Sequence, residues 1–488
     1  MSASDKRAGR PSRGAQPDRP GGAQPDRPGG AQPDRRSGEH RTDKSPGEHR
    51  RLGTSYGRGA AVLSAGIGTT GLITFAYFSL ASYALEPASY GDITLLWSAV
   101  FVTVSVLYRP VEQLLSRTIA DNDARGIAGT SHLRVAATIQ VALGVVFAVI
   151  ALALHDPIQR DLLGGSAPLY WVLIVAVLAY AASYFARGFL AGHHRFGLYG
   201  GLVFMEATSR LMFALAVTVG IASGQVAVAL GIAAAPLVSL VVVPLALGGR
   251  GSAPEPLEAD SGPAAEPLEA DTGPAAEPDP EFTLSKGAGF AVAVLLIMLA
   301  EQTFLNAGPL LVKATEGGAA GAALAGFTFN VLLIARAPLQ LFQAIQTSIL
   351  PHLTRLRAGG QEDPFRHSVH MTLVAIAGFA AAVALAMAAA GPALMDLVFG
   401  GDGSYERGGL VLIALGMGLY LAAATLNQAA LARGRTAAAA VCWMTAAIGF
   451  VAFLAFADFD DRVLQVEVAY TGAAAVLGAA LFALFRRG

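Results

Sequence analysis

Two short stretches carry polar groups where the surrounding chain is strongly apolar. RPVEQLLSRTIA (109–120) and RAPLQLFQAIQT (336–347) align without gaps, 227 residues apart, so that Arg109 meets Arg336, Gln113 meets Gln340 and Ser116 meets Gln343. On a helix of 3.6 residues per turn, positions i, i+4 and i+7 share one face. Each stretch therefore presents a polar stripe headed by arginine. One is Arg109-Gln113-Ser116; the other is Arg336-Gln340-Gln343, extended by Thr347. A guanidinium is planar, permanently charged and able to hold a phosphate or carboxylate through two parallel hydrogen bonds. The chemistry such stripes suit is anion binding. No nucleophile–base pair, Cys/His metal cluster or phosphate-cradling glycine loop accompanies them, so a catalytic site, a bound metal and direct use of ATP are not expected; the chain reads as a non-enzyme.

The elements that must position these stripes are membrane helices. The 488-residue chain is 54% hydrophobic and 14% charged, with a mean hydropathy of +0.52, too apolar for an ordinary soluble protein of this length. Twelve apolar spans fall near 59–84, 93–116, 131–154, 167–190, 197–220, 223–247, 286–312, 320–350, 368–390, 408–431, 436–457 and 464–485. Most exceed the roughly 20 residues that cross the hydrocarbon. The expected fold class is an all-α polytopic membrane protein with six spans on either side of a linker.

Two segments lie outside that pattern. Residues 1–58 hold 13 of the 34 Lys/Arg and repeat GAQPDRPG at 14–21 and 22–29; residues 255–276 repeat EPLEADSGPAA as EPLEADTGPAA. Neither can bury enough apolar surface to fold. The expected organisation is a basic tail (1–58), an N-terminal lobe (59–247), an acidic linker (248–285) and a C-terminal lobe (286–488). With the N-terminus inside, the inner loops and C-terminus hold fourteen Lys/Arg and the outer loops hold Arg160, Lys313, Arg407 and Arg462. That bias puts both termini in the cytoplasm of a multi-pass plasma-membrane protein. The lone Cys442 rules out a disulfide framework.

The equivalent position of the stripes in two equally oriented halves implies a parallel repeat about an axis along the membrane normal. Two six-helix lobes would then turn both arginines to a shared central cavity. A charged side chain at mid-membrane costs about 2.5–3.5 kcal/mol on insertion scales, which favours a wet cavity or a partner over lipid. Snorkelling to lipid phosphate is the alternative for either arginine taken alone. A fainter echo joins GFLAGHHRFG (188–197) to AALARGRTAA (429–438), with Arg195 and Arg435 at matching helix starts.

At these residues the chain resembles the multidrug/oligosaccharidyl-lipid/polysaccharide exporter superfamily, and within it the polysaccharide and lipid-linked oligosaccharide flippase branch. The resemblance rests on Arg336, Pro338-Leu339, Phe342, Thr347, Pro351 and Thr354-Arg355 of the eighth span, on Pro87-x-x-Tyr90-Gly91, and on GFLAGHHRFGLYG. It covers residues 55–488. It implies transport of a lipid-linked saccharide by alternating access, with Arg109 and Arg336 on the substrate's phosphates, and cell-envelope glycosyltransferases or a polymerase as partners. The first span, 59–84, has no charged side chain, where peptidoglycan-precursor flippases place arginines, so another saccharide unit is implied.

Other polar groups in the spans have several readings. Glu112, beside Gln113, can partly neutralise Arg109. Glu206 and Arg210, four apart, read as an ion pair within one helix. Glu301 reads as a coupling site for a proton or Na+, as a partner of Arg336, or as interfacial. Asn427 and Gln428 read as helix–helix hydrogen bonders, and Glu467 as interfacial. No cofactor and no nucleic acid are expected; membrane lipid is. The competing functions are a cation antiporter of the multidrug-and-toxin extrusion branch, which shares the fold, and a major-facilitator carrier.

Overall fold

A computed structural model describes residues 68–124, 130–241, 284–336, 362–400 and 405–487, with residues 66, 244 and 339 beside them. Nearly all of it is helix. The helices are α1 (68–84), α2 (Pro87–Leu107), α3 (Arg109–Ala124), α4 (Ser131–Ala153), α5 (Ala167–Gly192), α6 (Phe196–Thr218), α7 (Gly224–Ser239), α8 (Leu284–Glu316), α9 (Gly318–Arg336), α10 (Glu362–Phe399), α11 (Arg407–Ala432), α12 (Thr436–Phe456) and α13 (Arg462–Arg486). Among the described residues ten spans are long and apolar enough to cross a membrane, α2 and α3 forming one of them from Pro87 to Ile119. The described part of α1 and the 16-residue α7 are the two expected spans that fall short of that length. The expected tail 1–58 and almost all of the linker 248–285 lie outside the described residues.

Helix starts follow local chemistry. Ser166 accepts the Leu169 N–H at 3.4 Å ahead of α5, and Asp461 accepts from Val463 and Leu464 at 2.8 and 3.2 Å ahead of α13. Both satisfy amide groups that the first turn leaves without partners. Pro110 interrupts the long second span: it has no N–H to donate, and α2 gives way to α3 at Tyr108. Arg109 is therefore the first residue after a break. At the far end, Arg433 lies 4.7 and 4.6 Å from the ring centres of Phe365 and Phe485, and donates to Glu362 and, at 2.8 Å, to the Phe485 carbonyl. Arg435 donates to the Leu484 carbonyl at 2.9 Å, so both cap the carbonyl end of α13.

Helices α2–α7 pack on one another, and so do α8 and α10–α13, which makes two lobes. The lobes meet mainly through α2 against α8 and α9. There α2 and α9 touch backbone to backbone: a Cβ on Gly91 would stand 1.8 Å from the Ala322 carbonyl oxygen, and one on Gly326 would stand 3.0 Å from Gly91 Cα. Tyr90 Oη donates to Asn330, and Asn330 Nδ2 donates to Tyr405 at 3.2 Å. Ser79 donates to the Val398 carbonyl and Tyr83 to that of Leu397, at 2.6 Å for the latter. Phe78 and Phe329 pack with ring centres 4.6 Å apart. All of these contacts lie toward the end of the bundle that carries the 85–86 turn.

Two expectations need correction here. Lys313, counted with the outer loops, is 3% exposed in the last turn of α8, and Arg187, counted with the inner loops, lies within α5. One comes off each side, so the charge bias remains. Glu467, near the start of α13, is buried at 4% exposure, admitted by Gly409, where a Cβ would stand 2.0 Å from its carboxylate.

Because the new carbon would collide with backbone, Gly91→Ala should separate the lobes at this end. The measurement is disulfide crosslinking between cysteines placed at Ser79 and Val398 in a Cys442→Ser background. The expected result is loss of most of the crosslink at unchanged protein level.

Candidate functional site

Between the lobes lies a cavity of about 400 Å³ lined from both sides. The N-terminal lobe contributes Arg109, Glu112, Gln113, Arg187, Glu206 and Arg210; the C-terminal lobe contributes Gln302, Asn306 and Arg336. The two stripe arginines thus share one cavity. Ser116 is partly buried further along α3 and is not part of the lining. Gln340, Gln343 and Thr347 lie outside the described residues.

Arg336 shows how a charge is held inside the C-terminal lobe. It donates to the Leu305 carbonyl and, at 3.1 Å, to Asn306 Oδ1, and it lies 4.5 Å from the Phe329 ring centre. The Leu305 carbonyl is free because its helical donor would be residue 309, which is proline. Arg336 takes up an acceptor that α8 itself leaves open, as neighbouring side chains do for helix-breaking prolines in membrane helices. Asn306 is fixed in turn by donating to Gln302, at 3.1 Å to its carbonyl and 3.2 Å to its side chain. The expected alternative of Glu301 paired with Arg336 is not what forms. Glu301 instead acts on Arg109 across the lobe boundary, beyond contact distance.

The N-terminal wall differs from expectation as well. Glu206 and Arg210 do not pair along α6. Glu206, 2% exposed, accepts from Ser183 and Arg187 of α5 and from Ser239 of α7. Arg210, 3% exposed, donates to Tyr180 Oη at 2.8 Å and lies 5.0 Å from the Trp97 ring centre. The i, i+4 spacing allowed a pair, but the interior offered each group a partner on another helix. Glu112 accepts from Tyr199 Oη at 2.8 Å. Arg187 was the residue missed; its guanidinium lies 4.5 Å from the Tyr184 ring centre. Its sequence signal was an arginine five residues inside the end of an apolar helix. Asn427, expected to bond between helices, is buried with its Oδ1 unpartnered among the described residues.

The lining therefore carries four arginines against two glutamates. Arg187 is neutralised by Glu206, whereas the hydrogen-bond partners of Arg210 and Arg336 are neutral groups. A surplus of positive charge faces the cavity.

No family model matches the chain, and no curated protein matches it. Solved structures do. A mutant of the Vibrio cholerae MATE transporter VcmN superposes with a TM-score of 0.56 at 16% identity, over 89% of this chain and 98% of that one. The eukaryotic MATE transporter AtDTX14 gives 0.61 at 14% identity, over 90% and 96%. An inward-facing multidrug resistance MATE family transporter of the MOP superfamily gives 0.58 at 14% identity, over 88% and 97%. The chain has the MATE fold. At these identities the likeness establishes architecture alone. The likeness to the flippase branch expected above has no counterpart in these neighbours.

A buried carboxylate stripped of its cation is destabilising by about 3–5 kcal/mol. Arg187→Ala should accordingly lower the thermal melting point of the purified protein markedly, and Arg187→Ala combined with Glu206→Gln should recover most of the loss. A melting point unmoved by the single substitution would show that Glu206 does not depend on Arg187.

Proposed function

We propose that this chain is a plasma-membrane exporter working by alternating access, in which two lobes rock about the interlobe cavity. The observation that carries this reading is that the lobes touch backbone to backbone at one end and part around a polar cavity of about 400 Å³ further along. The MATE fold of its neighbours supports it. The Lys/Arg bias places both termini in the cytoplasm, which makes the touching end the outer one and assigns the cavity to the inner half.

The cargo proposed is an anionic amphiphile of the lipid-linked saccharide class. Its support is the cationic surplus, above all Arg336, whose guanidinium is oriented by neutral groups and retains its full charge for a ligand. Arg109, opposite it, would hold a second phosphate oxygen. Glycosyltransferases or a polymerase of the cell envelope would supply or consume such a cargo. No cofactor is needed beyond a coupling proton or Na+, for which Glu301 is the proposed acceptor because it acts on Arg109 across the boundary without pairing with it.

Cation antiport is the second reading, and the MATE neighbours favour it. Glu112, Glu206 and Glu301 would then serve the cargo or the coupling ion. Proteoliposomes decide between the two when flipping of a fluorescent polyprenyl-diphosphate sugar and gradient-driven movement of a cationic dye are followed in parallel. Flipping that is abolished by Arg109→Ala and by Arg336→Ala, at normal protein level, is the expected result. Dye movement without flipping would replace the anionic cargo by a cationic one.

A further inference from the structure

The closed end holds a buried carboxylate that the cavity does not use. Asp92 follows Gly91 in α2, is 8% exposed, and its Oδ1 has no hydrogen-bond partner among the described residues. Its other oxygen is pressed by the turn at Gly164 and Gly165, both in the left-handed region at φ 60° and 82°; a Cβ on Gly164 would stand 2.8 Å from Oδ2. That turn follows the π-helical segment Ile158–Leu162, which packs against α8 of the other lobe. The charged group that acts on Asp92 is Lys313 of α8, which donates to the Gly318 carbonyl at 2.6 Å and makes no direct ion pair with the acid. From α9 the nearest approach is the Ala322 carbonyl against Gly91.

We infer that Asp92 is a proton-binding site at the outer closure, and that the lobes close there with a proton on it. An ionised carboxylate can be buried cheaply only when paired and fully hydrogen-bonded. Asp92 has neither a contact cation nor a full set of donors, so closing the lobes over it favours the neutral acid. When the lobes part, water reaches it and the carboxylate ionises without penalty. Closure therefore takes up a proton and opening releases one. The sign is fixed by this: acid favours the closed end, and alkali favours the open one. Lys313 softens the effect by partly offsetting the charge of ionised Asp92. Because the site belongs to the closed end, the proton is taken from the outer side. The inference rests on the alternating-access reading, and it adds a pH-sensing group in a different place from Glu301: a proton taken up and released on the same side sets the closure equilibrium without crossing the membrane.

The test places spin labels at Glu86→Cys and Ala320→Cys, one on each lobe, in a Cys442→Ser background, with the full chain in nanodiscs. Distances are read in mildly acidic and mildly alkaline buffer. The expected result is a shift from short to long distance as pH rises, the ratio changing by at most about tenfold per pH unit for one proton. Asp92→Asn should hold the short distance in both buffers. Lys313→Met should enlarge the pH response, because ionised Asp92 has lost the cation that acts on it. Two distances whose ratio still follows pH in Asp92→Asn would overturn this inference and leave alternating access standing. A single distance in every protein and buffer would overturn both.

Discussion

Everything in this molecule depends on one constraint: a polar group inside the hydrocarbon must be given a partner by the protein itself. The Leu305 carbonyl is the clearest case. Pro309 removes its helical donor, and Arg336 from the next helix supplies another. A single proline thus creates an acceptor, the acceptor fixes an arginine, and the arginine charges the cavity. The same logic explains why Glu206 gathers donors from two neighbouring helices and why Arg210 is set against Tyr180 and Trp97.

The constraint also separates the two ends of the interface. Where the lobes touch, the contacts are glycine against backbone, aromatic rings and short hydrogen-bonded chains, and these can form or break without stranding many charges. Where the lobes part, the groups are guanidinium and carboxylate. A cavity that holds such groups must stay wet or occupied. Touching at one end and polar separation along the rest is the arrangement a rocking motion requires, since one set of contacts can be exchanged for another while the charged groups remain within their own lobes.

Much of this was legible in the sequence, and the remainder was hidden for a physical reason. The spans could be read because the hydrocarbon demands about 20 apolar residues in a row, and the two stripes because helical spacing brings Arg109 near Gln113 within one chain segment. Spacing reports neighbours along a helix and says nothing of which face meets which helix. That is why Glu206 was matched with Arg210, four residues away, when its partner is Arg187 on α5. The place of Glu467 at the start of a span could be read, but not that Gly409 on another helix leaves room to bury it. Pro309 was the readable signal that went unused: a proline inside a membrane helix announces a free carbonyl four residues earlier.

The central claim is that the cavity is reached from one side of the membrane at a time and from both sides in turn. Gln113 is exposed to that cavity from α3, so Gln113→Cys in a Cys442→Ser background reports on it directly. The measurement is its modification by a membrane-impermeant thiol reagent, applied to right-side-out and to inverted vesicles. The predicted result is modification from both faces, slowed from the outer face when the Ser79–Val398 contact is crosslinked and from the inner face when it is broken. Modification from one face alone, whatever the state of that contact, would contradict it.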